Sequence, residues 1–112
     1  LVDFPARLKI VTRGADGAIA FWQNHRLTLS GYHVDSIDTT GAGDAFMAGL
    51  LAALAGAGWP ASTAALSSLL EQASACGALA TTQRGALSAF PNNQQLSRFI
   101  QSQPSLRRTI NP

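Results

Sequence analysis

The sequence predicts an α/β fold in which strands come first and packed helices follow, the order of a layered sheet fragment. Three observations predict it. Short apolar runs separated by glycine or polar turns fill residues 8–34. At Gly43 the apolar period changes to helical spacing. From there to residue 80 alanine and leucine dominate, with a break at Gly56-Ala57-Gly58-Trp59-Pro60.

The elements follow in order. Leu8-Lys9-Ile10-Val11-Thr12 is a short apolar run that reads as a buried strand. Gly14 and Gly17 bracket a turn around Asp16. Ala18-Ile19-Ala20-Phe21-Trp22 reads as a second strand, and Gln23-Asn24-His25 as a polar hairpin loop. Arg26-Leu27-Thr28-Leu29-Ser30 alternates polar with apolar, the pattern of a half-buried strand. Tyr32-His33-Val34 is expected to continue the sheet beyond Gly31. Phe46, Met47, Leu50, Leu51 and Leu54 then recur at helical spacing. Alanine fills most of the rest, so this helix is apolar nearly all round and is expected to be buried on several faces. Ser62 or Thr63 is placed to cap a second helix over about residues 64–80. Gln83-Arg84-Gly85 is a turn. Pro91-Asn92-Asn93 precedes a last helix over about 94–101, and the polar tail 102–112 is expected to fray.

Composition narrows the function classes. The 112 residues are 46% hydrophobic and 12% charged, enough for one small domain whose faces largely meet other protein. Net charge is +2, and beyond Asp44 a single acid, Glu71, stands against Arg84, Arg98, Arg107 and Arg108. That bias favours an anionic small molecule. No dense Lys/Arg run with interleaved aromatics is present, so nucleic acid is not the expected partner. The uncharged stretch from Ala45 to Trp59 is shorter than the roughly 20 residues of a membrane span. One cysteine, Cys76, builds no disulfide framework and reads as a buried structural thiol, which suits a reducing cytoplasm. The opening Leu1-Val2-Asp3-Phe4-Pro5 lacks a Met and a signal-peptide pattern, and reads as the middle of a longer protein.

The chemistry concentrates in Asp38-Thr39-Thr40-Gly41-Ala42-Gly43-Asp44-Ala45-Phe46. Glycines allow a tight turn and close ligand approach. The helix that begins there offers unpaired N–H groups and the positive end of its dipole, where phosphate oxygens fit. Fixed donors aimed at the charge of a moving phosphoryl group lower its barrier. Asp44 stands where an acceptor hydroxyl would arrive and is a candidate general base. The plainer alternative is a glycine-rich turn with an aspartate cap. His25 and His33 lie at no metal or catalytic spacing; His25 reads as a solvated loop residue and His33 as a strand residue.

The run from Asp38 to about Leu51 resembles the C-terminal signature of the ribokinase family of carbohydrate kinases, also called the PfkB family. Thr12-Arg13-Gly14-Ala15-Asp16-Gly17 is similar to that family's T-x-G-x-x-G turn along the nucleotide. The resemblance covers nearly the whole chain and implies the C-terminal part of a ribokinase-like α/β/α domain, without the sugar-binding and lid part. It implies ATP-dependent phosphorylation of a sugar hydroxyl, with Asp44 as catalytic base and Gly41, Ala42 and Gly43 as the anion hole. Thr12, Gly14 and Gly17 would contact ATP, as would Ser74, although many relatives carry Asn there. Mg²⁺ would accompany ATP. A monovalent cation, usually potassium, would be held by the Asp38 side chain and carbonyls of Thr40, Ala80, Gln83 and Gly85; Asp38 alternatively anchors the loop through N–H groups. The motif is closest in style to the bacterial fructokinase branch, with aminoimidazole riboside kinases next. The expected partners are a small sugar and ATP, with a homodimer of the complete enzyme. Two other readings remain: a nucleotide-binding module without catalysis, and an interaction subunit whose apolar surface docks a partner.

Overall fold

The computed structural model describes residues 7–82 and 91–111. Its elements are β1 (Leu8–Thr12), a 3₁₀ turn (Gly14–Asp16), β2 (Ala18–Trp22), β3 (His25–Leu29), α1 (Ala42–Ala57), α2 (Thr63–Thr81), α3 (Asn93–Ser102) and β4 (Arg108–Asn111). The expected order, strands followed by packed helices, holds through α3, and β4 then returns the chain to the sheet.

The four described strands form one antiparallel sheet in the order β1-β2-β3-β4. Register decides its faces. Ala18 pairs with Leu29 and Ala20 with Leu27, so these four residues share a face, and all four are buried. Side chains alternate across a strand, which puts Ile19, Phe21 and Thr28 on the opposite, half-buried face. The buried face meets α2, whose Leu66, Leu69, Leu70, Ala73 and Cys76 join the sheet residues in one core. α1 packs along α2 through Phe46, Gly49 and Leu50. Leu70 is fully buried. Leu70→Ala should therefore cost about 2–5 kcal/mol of stability, because the surroundings close a buried hole only partly; a urea melt reads this as a lower midpoint with unchanged slope.

The helix starts follow their capping chemistry. The Ser62 hydroxyl accepts from the Ala65 amide at 3.1 Å, which selects Ser62 over Thr63 as the cap. Asn92 and Gln95 form a reciprocal capping box at the start of α3, with both bonds at 2.8 Å.

Four expectations change. The tail does not fray throughout: Arg108–Asn111 pairs with β3, and Ser30 and Arg107 exchange bonds of 2.9 Å at the ladder's end. Arg108 also meets Glu71 of α2 at 3.2 Å. Tyr32, His33 and Val34 form no strand. Tyr32 instead packs edge-to-face on Phe99 of α3 at 5.2 Å, which turns the chain off the sheet, and His33 is an exposed residue of that segment. His25 opens β3 rather than sitting in a solvated loop, stacked against Trp22 at 6.2 Å; the turn is Gln23-Asn24, with Gln23 at φ 53°. Finally, α1 is not covered all round. Met47 and Leu51, one turn apart, are 52% and 58% exposed, because among the described residues α2 supplies most of its packing and covers the other side. The turn at Gln83-Arg84-Gly85 lies outside the described residues.

Candidate functional site

Two turns and two helices meet around a cavity of about 400 Å³. The first turn is the 3₁₀ segment after β1. Arg13 donates its amide to the Gly17 carbonyl at 2.7 Å, and Asp16 donates to the Arg13 carbonyl at 3.0 Å. The ring so closed holds Gly14, Ala15 and Gly17 against the cavity beside Thr12. The second turn runs from Asp38 into α1. Gly41 is the helix cap and sits at φ 78°, a left-handed conformation that other residues enter only at a cost. The Asp38 carboxylate accepts from the Thr40 amide at 2.9 Å, a local bond that sets the shape of the turn.

The fate of the first-turn amides matters for anion binding. Ala42 donates to the Thr39 carbonyl at 3.2 Å, and Ala45 to the Gly41 carbonyl at 2.9 Å. Among the described residues the Gly43 and Asp44 amides find no backbone acceptor. Those two donors point along the helix axis with the positive dipole end, and Gly43 lines the cavity. Asp44 is the acid of that first turn, and its side chain is exposed. A helix start of this kind can hold phosphate oxygens, with a carboxylate at the next residue able to accept a proton.

Of the residues singled out in the sequence, Thr12, Gly14, Gly17, Ala42, Gly43 and Ser74 line this one cavity. Gly41 and Asp44 flank Gly43 and Ala42 without lining it. Of the residues expected at a cation, the structure ties Asp38 to the end of α2. Both the Ile37 and Asp38 amides donate to the Thr81 carbonyl, at 2.7 and 3.1 Å. That fastens Asp38 to the end of α2, one residue beyond the buried Ala80. Gln83 and Gly85 lie outside the described residues. Ser36 extends the same fastening by donating to the Thr81 hydroxyl at 3.2 Å, which donates in turn to the Ala78 carbonyl at 2.7 Å.

Sequence reasoning missed much of the wall. Gly31, Tyr32, His33, Val34, Asp35 and Ser36 line the cavity from the segment after β3, and Phe46, Gly77, Ala78 and Thr81 from the helices. The signal for the first group was the Gly31 break, read as a strand interruption. No periodic pattern announces Gly77 and Ala78, which are small residues among many on α2. Tyr32 has a buried hydroxyl that finds no hydrogen-bond partner of good geometry among the described residues. Burial pushes its pKa upward, the nearby Glu71 carboxylate adds to the shift, and Arg108 partly opposes it. Burial likewise pushes the Cys76 thiol up to about 11, so it stays protonated at neutral pH and lies behind the site as packing.

Comparison with known proteins adds the following. A family model described as "pfkB family carbohydrate kinase" matches residues 3–93. A fructokinase of Salmonella thompson is 47% identical over 95 residues, covering 85% of this chain and 43% of that protein. An aminoimidazole riboside kinase of Salmonella typhimurium is 41% identical over 103 residues, covering 91% of this chain and 32% of the relative. The crystal structure of a fructokinase from Vibrio cholerae O395, bound to fructose, ADP and calcium ion, superposes with a TM-score of 0.78 at 46% identity. It covers 88% of this chain and 32% of that one. A double mutant of that fructokinase, bound to fructose, ADP and potassium ion, has the same TM-score at 45% identity, with the same shares covered. The chain thus spans less than half the length of each of these relatives.

Proposed function

Because the chain belongs to the pfkB family of carbohydrate kinases, we propose that it forms the nucleotide-binding part of an ATP-dependent sugar kinase, with fructose converted to fructose 6-phosphate. One observation carries the reading. The unbonded Gly43 amide stands at a cavity also lined by residues of the Thr12-to-Gly17 turn, and the unbonded Asp44 amide is the next donor along the helix start. A volume of about 400 Å³ falls in the range of small-molecule sites.

In this reading residues 12–17 hold the nucleotide, and the amides at the start of α1 hold the phosphoryl group in transit. The acceptor hydroxyl oxygen attacks the γ-phosphorus, the bond to the bridging oxygen breaks, ADP leaves, and Asp44 takes the hydroxyl proton. Mg²⁺, when bound, neutralises phosphate charge. For a monovalent cation the Asp38 carboxylate and the carbonyls of Thr40 and Ala80, with those of Gln83 and Gly85, would supply an all-oxygen donor set, which suits a hard ion. Their role would be to stiffen the turn that precedes the amides. The potassium-bound relative supports including potassium.

The 41% identity to an aminoimidazole riboside kinase supports a second acceptor, aminoimidazole riboside. No helix among the described residues is long and apolar enough to cross a membrane, and a cytoplasmic location and a homodimer of the complete enzyme belong to the same proposal. The test joins this chain to the part of the Vibrio cholerae fructokinase that it does not span and assays ATP consumption with each sugar. Turnover on fructose supports the reading. ATP binding with no turnover on either sugar would favour a binding module.

A further inference from the structure

Resting on that reading, we propose that Gly31 is a positioning residue for the nucleotide: its bare Cα is the seat on which the turn at residues 14–17 is held at the height the cavity requires. The backbone of the β3 exit and that turn are packed against each other without intervening side chains. A methyl group on Gly31 would overlap the carbonyl oxygen of Ala15 and stand 2.9 Å from the Ala15 carbonyl carbon and 3.2 Å from the Gly17 amide nitrogen. The contact is reciprocal. A methyl on Gly17 would overlap the Leu29 carbonyl oxygen and come within 2.8 Å of the Gly31 nitrogen.

The atoms in the way are backbone, so no rotamer change relieves the clash. The turn itself must move. It has little other freedom, because its ring is closed by the bonds of Arg13, Asp16 and Gly17. β1 and β2, from which it springs, are fixed in register from Leu8 to Trp22. A larger residue at 31 therefore lifts the turn as a unit into the cavity that Ala15, Gly17 and Gly31 all line. Gly31 contributes no functional group to a ligand; it acts through the residues it seats.

The experiment is calorimetric titration of the chain with Mg-ATP, in the unmodified form and as Gly31→Ala. Gly56→Ala, a substitution on exposed α1 surface with no neighbour within 4 Å, serves as control. The expected result is at least a tenfold loss of ATP affinity in Gly31→Ala and none in Gly56→Ala, with the far-UV circular dichroism of all three alike. Unchanged affinity in a folded Gly31→Ala overturns the positioning role while leaving the kinase reading intact. An unmodified chain that takes up no ATP overturns the kinase reading, and the role of Gly31 with it. Should Gly31→Ala fail to fold, the unmodified chain carries the test by NMR. The amide resonances of Gly17 and Gly31 must then move together over the ATP titration, and a stationary Gly31 resonance overturns the proposal.

Discussion

Replacing Asp44 with asparagine should lower turnover by about 10²–10⁴-fold, the usual contribution of a positioned proton acceptor. The measurement belongs in the fusion with the Vibrio cholerae fructokinase segment, where an acceptor site is present. Two further readings separate loss of the base from loss of the fold. Asp44 lies in the first turn of α1 with an exposed side chain, so it is not part of the core. Its favourable placement at the positive helix end contributes only about 0.3–1 kcal/mol. Asp44→Asn should therefore melt close to the unmodified protein and bind ATP as well as it does. Loss of turnover with retained ATP binding fits a group that acts on the acceptor. Near-normal turnover would remove Asp44 from the reaction and return it to the role of a helix-end carboxylate.

A comparable loss is expected from Gly41→Val, by a different route. Gly41 caps α1 at φ 78°, where a β-branched residue is strained by about 1–3 kcal/mol. The chain can relieve that strain only by rotating the peptide that leads into Ala42 and Gly43. Rotation re-aims the Gly43 amide, which lines the cavity, and the neighbouring Asp44 amide. Loss of one oriented donor to a developing negative charge typically lowers turnover by about 10²–10³-fold. Unlike Asp44→Asn, this substitution should weaken ATP binding too, since the same amides hold the phosphates in the ground state. Gly41→Asn is the informative companion, because asparagine enters the left-handed region more readily. Its turnover should fall between those of the valine variant and the unmodified protein. Equal activity of all three would mean that the cap conformation has no part in catalysis.

The turn and helix start that carry these two residues were legible in the sequence because their signals are local. A glycine-rich turn before a helical period, followed by an acid, is written in consecutive positions. The same holds for a cap at Ser62 or Thr63 and for β1, β2 and the core of β3, where alternation over a few residues suffices. Other parts depend on distant partners. β4 is Arg108-Thr109-Ile110-Asn111, a polar run with no strand pattern of its own; it becomes a strand because β3 offers an unpaired edge. Tyr32-His33-Val34 has good strand composition, yet Phe99 of α3 captures the Tyr32 ring and the segment becomes cavity wall. His25 reads as a loop residue until its register against Trp22 is known.

The site divides along the same line. Thr12, Gly14, Gly17, Ala42, Gly43 and Ser74, singled out from the sequence, line one cavity. The fastening of Asp38 to Thr81 joins residues far apart in the chain and left no mark in either local pattern. Met47 and Leu51 carry the opposite lesson. Helical apolar spacing measures what a face is able to bury, not what covers it, and here both side chains remain exposed.

The central claim is that the amides opening α1 and the turn after β1 grip one nucleotide between them. The direct measurement is an NMR titration of the ¹⁵N-labelled chain with Mg-ATP. The account predicts that Gly43 and Asp44 shift together with Gly14 and Gly17 along one saturating curve, while the amides of α3 stay still. Shifts confined to one of the two turns, or absent from both, would contradict it.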